Sequence, residues 1–380
     1  MIDFMAADSV QACIMRIVEG THGSMDMHMI VQPRRADGPA ARAAIDTSGA
    51  ATVQAAGGPL MLRADVPLRV RAQALEAAFT VRPRERLVFT LCQGEGAGVD
   101  PASAVTALHD TQRHWRRWIG HFDNARTLWP QAVRRSLLTL HALVYRPTGA
   151  MIAAPTTSLP EAPGGELNWD YRYCWLRDAS FALEALLEAG FHDEARAWRD
   201  WLLRTIGHAR GRIHVMYCVD GSHVPNEREV GRFAGWQGAR PVRFGNAACT
   251  QYQPDVFGEA FDCLYLTRRA GIVAAQEEAE LEARLIGWRL DHGGKPGSGI
   301  WETRGRARHY TLSLRGDEDE AIAQFERVFA VANDVGLLAE EYDVRNGRLA
   351  GNFPQALSHL AVVKTAMLLS GSAQGHRRAR

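Results

Sequence analysis

The sequence has no run of roughly 18 apolar residues, the length a helix needs to cross a bilayer. Met1 to Gly20 carries Asp3 and Asp8, no basic residue before Arg16 and no sustained apolar stretch, so it does not read as a secretory signal. No two cysteines have the CxxC spacing. The six, Cys13, Cys92, Cys174, Cys218, Cys249 and Cys263, lie far apart, which argues against a zinc ribbon or a redox pair. A chain of 380 residues does not need disulfide staples, so free thiols and a cytoplasmic location are the expectation. Neither sign of charge is in excess: 44 basic and 43 acidic side chains leave +1, with no electrostatic reason to expect nucleic acid or a membrane surface as partner. The basic end, His376, Arg377, Arg378 and Arg380, reads as a short exposed tail. GxSxG and the P-loop are missing, and Gly94-Glu95-Gly96 lacks the third glycine of a dinucleotide fingerprint. His208 and His214 fall into no metal-ligand spacing, and no close internal repeat is visible. Neither a metal nor a cofactor is expected.

What is present is the composition of a globular protein, 46% hydrophobic and 23% charged, with length enough for two domains. Up to about residue 95 the period is near two. Met25, Met27, Met29 and Val31 alternate with Asp26, His28 and Ile30; Leu75 to Val81 and Leu87 to Cys92 are short apolar runs bounded by Pro83 and Gly94. This is an antiparallel β pattern. From about Pro101 the period becomes helical. Helices are expected over Pro130 to Tyr145, around Phe181 to Leu187, and over Trp198 to Ile206, Val256 to Leu266, Ala274 to Leu290, Glu318 to Val331 and Pro354 to Leu369. Pro354 suits a first helical turn. Long loops rich in glycine and aromatics separate these helices, and function is expected on such loops.

Four segments carry chemistry. In Pro155 to Ser180, Trp169, Tyr171, Tyr173 and Trp175 are interleaved with Asp170, Arg172, Arg177 and Asp178. Flat apolar rings beside adjacent donors and acceptors suit a sugar, whose faces are C–H and whose rim is hydroxyl. The same residues would serve a hairpin with core aromatics and a surface ion pair. In Gly299-Ile300-Trp301-Glu302 a carboxyl beside a tryptophan is placed for a raised pKa, as a general acid requires, or for a surface pair with Arg304. Glu340, Glu341 and Asp343 form a carboxylate cluster that holds either a base or a solvated helix end. Arg243 to Glu259, with Gln253 and Asp255, and Gly351 to His359 read as binding loops or as capped turns.

Taken in order, these segments resemble glycoside hydrolase family 15, the glucoamylase and trehalase group of six-hairpin glycosidases. APTTSLPEAPGGELNWDYRYCWLRD at Ala154 to Asp178 is the most specific; PVRFGNAACTQYQPDVFGE, GIWETRG, NDVGLLAEEYD and GNFPQALSH follow. The resemblance implies an α+β multidomain chain: a partial N-terminal antiparallel β-sandwich over residues 1–120, a linker helix over 121–150, and an incomplete (α/α)6-barrel-type helical domain over 151–380. It implies an inverting α-glucosidase, acting on trehalose or an oligosaccharide without a metal. Glu302 would be the general acid and Glu340 the general base. Arg177 and Asp178 would hold the terminal glucose, Trp175 and Trp301 flank it, and Tyr173, Gln253, Asp255 and His359 complete the substrate site.

The sequence departs from the family's pattern where His309-Tyr310-Thr311-Leu312-Ser313, which resembles the start of a mid-barrel helix, is followed at once by Arg315-Gly316-Asp317-Glu318, which resembles the run-up to the base loop. Roughly seven helices are legible between Pro130 and Leu369, and the shortfall is on the order of a hundred residues. A ring with a block missing exposes apolar helix faces. Three readings stay open: a working glucosidase with a compacted barrel, an assembly of copies, or an inactive remnant that binds carbohydrate.

Overall fold

The computed structural model describes residues 1–7, 11–32, 43–55, 58–71, 74–94, 99–207, 213–273, 276–292 and 318–378. The chain divides into two units, Met1–Trp118 and Ile119–Arg380.

The first unit is a pair of antiparallel sheets. Strands β1 (Ile2–Met5), β2 (Cys13–Glu19), β3 (Met25–Val31), β4 (Ala43–Ile45), β5 (Ala51–Ala55), β6 (Gly58–Ala64), β7 (Arg69–Arg71), β8 (Ala74–Val81) and β9 (Arg86–Gln93) are followed by helix α1 (Ala104–Gly120). One sheet has the order β1-β2-β9-β6-β5-β4 and the other β3-β8-β7. Alternation explains both faces of the large sheet. Cys13, Met15, Ile17, Val88 and Cys92 form one buried cluster, against which Val105, Ala107 and Leu108 of α1 pack. Val18, Leu87 and Phe89 turn to the opposite face and meet Met27, Met29, Phe79 and Val81 of the small sheet. The methionine alternation in β3 therefore marks its inward face, as the period-two pattern requires. Helix α1 begins just after Pro101, where the sequence pattern turns helical, although the sequence reading placed its first helix at Pro130.

The cysteines need a correction. Cys13 and Cys92 face each other across the β2–β9 ladder and form a disulfide between residues 79 positions apart. Spacing along the chain cannot reveal a pair that only strand register brings together. Cys174, Cys218, Cys249 and Cys263 are free thiols.

In the second unit the helices are α2 (Pro130–Ala142), α3 (Leu176–Glu188), α4 (His192–Ile206), α5 (Asp255–Arg269), α6 (Gln276–His292), α7 (Glu318–Ala330) and α8 (Ala356–Arg378). Each coincides with one of the helical patterns read from the sequence. Helix α3 is central, packing on α4, α5 and α8, and it buries Leu176, Leu183 and Leu186. The segment expected to be a linker helix is α2, which buries Val133, Leu137 and Leu140 and packs against α8 within this unit. Pro354 precedes α8 rather than opening it. No described helix is long and apolar enough to cross a membrane.

Candidate active site

The 154–178 segment is locked by one buried carboxylate. Asp170 is fully buried; Arg172 grips it with Nε and Nη2 at 2.8 and 2.7 Å, and the Gly245 amide donates to it at 3.1 Å. An ionised carboxylate this deep needs that compensation. Its backbone carbonyl also accepts from Asn246 Nδ2, which ties the segment to the 243–246 loop. Arg243 lies over the Trp169 ring at 4.6 Å and donates from its backbone amide to Ser158 Oγ at 2.7 Å. The alternation of the sequence is thereby fixed in space, with Asp170 inside and Tyr171 directed elsewhere.

Tyr171 donates its hydroxyl to Glu340 Oε1 at 2.5 Å. Glu340 Oε2 is buried without a hydrogen-bond partner. Burial raises the Glu340 pKa to about 8; Tyr171 opposes the shift, and Glu161 and Glu341 add to it. The loop below is pinned by backbone bonds: Glu340 N–H donates to Asn352 O at 3.2 Å and Gly351 N–H to Pro160 O at 2.7 Å. Asn352 is itself held by Thr156 Oγ1 at 2.9 Å, and its Nδ2 donates to the Trp169 carbonyl at 3.1 Å. Gly351 has φ +78°, and a Cβ there would stand 2.8 Å from Glu340 Cβ, so this position demands glycine on two counts.

A second cluster lies at the N-terminus of α3 and along α5. Arg177 Nη1 donates to Gln253 Oε1 at 3.2 Å and pairs with Asp255 Oδ2 at 3.4 Å, while its Nε lies 3.7 Å from Asp178 Oδ1. Asp255 Oδ1 is buried and unpartnered. One helical turn along α5, Glu259 has its pKa raised to about 7 by burial first and by the Asp255 carboxylate next. One guanidinium thus faces several carboxyls, which gives the dense donor and acceptor array that a polyhydroxylated ligand requires. Among the described residues no group of three or more His, Cys, Asp or Glu side chains could hold a metal ion.

The structure brings Arg177, Asp178, Gln253 and Asp255 together as one array. Three expectations change. Tyr173 is buried, with its hydroxyl on Asp170 at 3.2 Å, so it supports the segment rather than meeting a ligand. Trp175 is 4% exposed and meets Tyr171 edge-on at 5.4 Å, backing that ring. His359 has no exposed surface, and both ring nitrogens are engaged within the protein, so it presents nothing to a substrate. Trp301 and Glu302 lie outside the described residues. Tyr171 was missed as a site residue; its signal was its place one step out of phase with buried Asp170.

An antiparallel sheet unit preceding a helical unit, with carboxylates and aromatics gathered on the helical unit's loops, is a glucoamylase-like arrangement. A bacterial glucoamylase solved in complex with acarbose has this fold, at a TM-score of 0.55 and 12% identity, over 98% of this chain and 53% of that one. The particular family follows from sequence: the model of glycosyl hydrolases family 15 matches residues 130–315 and 317–367, and the chain belongs to that family. A trehalase of Mycolicibacterium smegmatis is 36% identical over 246 residues, 63% of this chain and 37% of the relative. A trehalase of Mycobacterium tuberculosis is 38% identical over 213 residues, 55% of this chain and 31% of that protein. The match therefore spans roughly a third of the length of these curated relatives.

Proposed function

We propose that this chain is a trehalase-type inverting α-glucosidase. The observation that carries the reading is Glu340, a buried carboxyl with one oxygen held by Tyr171 and the other unpartnered. Glu340 is the general base: a water on one face of the sugar ring gives its proton to Oε2 as its oxygen bonds to the anomeric carbon. Glu302 is the general acid and protonates the departing glycosidic oxygen on the other face. Inversion requires the two carboxyls to lie roughly 6.5–9.5 Å apart, so that the water fits. The Arg177, Asp178, Gln253 and Asp255 array holds the hydroxyls of the terminal glucose, and Asp178 tightens on its hydroxyl as the ring flattens. Helices α2 to α8 are read as members of an (α/α)6 ring. The names of the relatives favour trehalose over maltooligosaccharides as substrate.

A second reading is favoured by the form of the family match. Its two segments meet at residue 316 inside the chain, which suits a glucoside-binding protein without turnover. Purified protein incubated with trehalose, maltose and maltotriose separates the two, with Glu302→Gln as control. Glucose release by the parent and its loss in the variant supports the hydrolase. Binding of trehalose by calorimetry without release supports the second reading.

A further inference from the structure

The loop carrying Glu340 rests on the first turns of α8. Gln355 N–H donates to Leu338 O at 3.1 Å, and Ser358 Oγ donates to Ala339 O at 2.9 Å. Leu338 N–H donates to His359 Nε2 at 3.2 Å. A ring nitrogen that accepts carries no proton, so the neutral ring holds its proton on Nδ1. Nδ1 is 3.0 Å from Ser136 Oγ of α2, to which it donates. Burial first, and Arg135 next, push the His359 pKa down to about 4, in keeping with a neutral ring.

From this geometry we infer that His359 is a positioning residue. Its Nε2, oriented by the Nδ1–H bond to Ser136, fixes the amide of Leu338 and so sets the Glu340 carboxyl against Tyr171. The inference rests on Glu340 being the base as far as turnover is concerned; the anchoring does not. A histidine suits the task because it is a rigid ring with an acceptor on one edge and a donor on the other. It joins two buried groups, the Leu338 amide and the Ser136 hydroxyl, that lie on opposite sides of the helical unit's sequence. Leucine at 359 leaves both unsatisfied. Glutamine restores an acceptor for the amide.

The test combines three readouts on the full chain. In histidine-15N-labelled protein, His359 should hold the Nδ1–H tautomer and not titrate between pH 8 and 5.5. In H359L, hydrogen exchange over residues 338–340 should quicken about tenfold or more, with α3 and α5 unchanged and H359Q restoring most of the protection. With trehalose, kcat should fall about 10- to 100-fold in H359L while KM stays within about twofold, and H359Q should recover part of it. If H359L fails to fold, S136A takes its place, with exchange over 338–340 raised about threefold. A His359 that titrates near its ordinary value, or unchanged exchange over 338–340 in a folded H359L or S136A, overturns the inference. No glucose release by the parent defeats the reading of Glu340 as base, while the tautomer and the exchange still decide the anchoring.

Discussion

Replacing Glu340 by glutamine should stabilise the protein, and should do so more as pH rises. The carboxyl has an ordinary value of 4.5, raised to about 8 in the fold. A group whose pKa is raised on folding contributes stability that is fully present below its unfolded value and lost as pH climbs through its folded value. The parent therefore loses stability between about pH 4.5 and 8, where the unfolded chain ionises this residue and the folded chain resists. At 1.36 kcal/mol per pH unit the ceiling is about 5 kcal/mol. Water entry and local relaxation reduce it, so about 2–3 kcal/mol at pH 9 is the working expectation. Glutamine keeps the shape and an oxygen for the Tyr171 hydroxyl, and it never ionises. Repulsion by Glu161 and Glu341 is part of the Glu340 shift, so its relief is already contained in that figure. Urea unfolding followed by tryptophan fluorescence at pH 4, 7 and 9 measures the effect; eight of the ten tryptophans lie in the second unit. The two proteins should match at pH 4 and separate steadily above it. A difference that stays constant from pH 4 to 9 would refute the reasoning, because it would mean that the carboxyl titrates alike in both states.

Other perturbations have equally definite outcomes. For a working hydrolase, kcat/KM on trehalose should rise with pH toward about 8 as Glu340 loses its proton, and a fall across that range would reverse its role. Tyr171→Phe removes the hydrogen bond that holds the Glu340 pKa down, so the rising limb should move to higher pH and activity at pH 7 should drop about tenfold. Gly351→Ala puts a methyl against Glu340 Cβ at a left-handed position and should lower stability by about 1–3 kcal/mol in urea unfolding. Arg177→Ala removes the cation shared by Asp178 and Asp255, raises the Glu259 pKa further and should abolish trehalose binding in calorimetry at neutral pH. Replacing Cys13 and Cys92 by alanine should destabilise the first unit by about 2–5 kcal/mol, read from circular dichroism melting of its sheets.

Periodicity made the elements legible. The 3.6-residue spacing located α2 to α8 because apolar residues recur at that spacing along them, and the alternation in β3 marked its inward methionines. Residue identity also located the Arg177 array, since Arg177 and Asp178 are neighbours in sequence, as are Gln253 and Asp255 to within one proline. What stayed hidden was whatever depends on which of two neighbouring residues faces inward. Asp170 is buried and Tyr171 is not, so it is Tyr171 that reaches Glu340 while Tyr173 turns to Asp170. Nothing in the string NWDYRYCW distinguishes the two until Arg172 is seen gripping Asp170. His359 misled for a similar reason: a histidine after Gly351 and Asn352 looks like a ligand contact, and only its burial against Ser136 gives it another task.

The pairing of α2 with α8 makes the second unit a clasp, closed by the first and last of its helices. Ser136 meets His359 across 223 positions, and the Leu128 amide reaches Ser370 Oγ across 242. Contacts of such separation form late, because a long loop must close before they are rewarded. During synthesis the Arg177 array has its partners once α5 has left the ribosome, whereas the anchor of the Leu338 amide on His359 waits until α8 follows. The candidate site thus joins one array closed across 76 positions to a carboxyl whose anchoring loop is completed only when the clasp shuts.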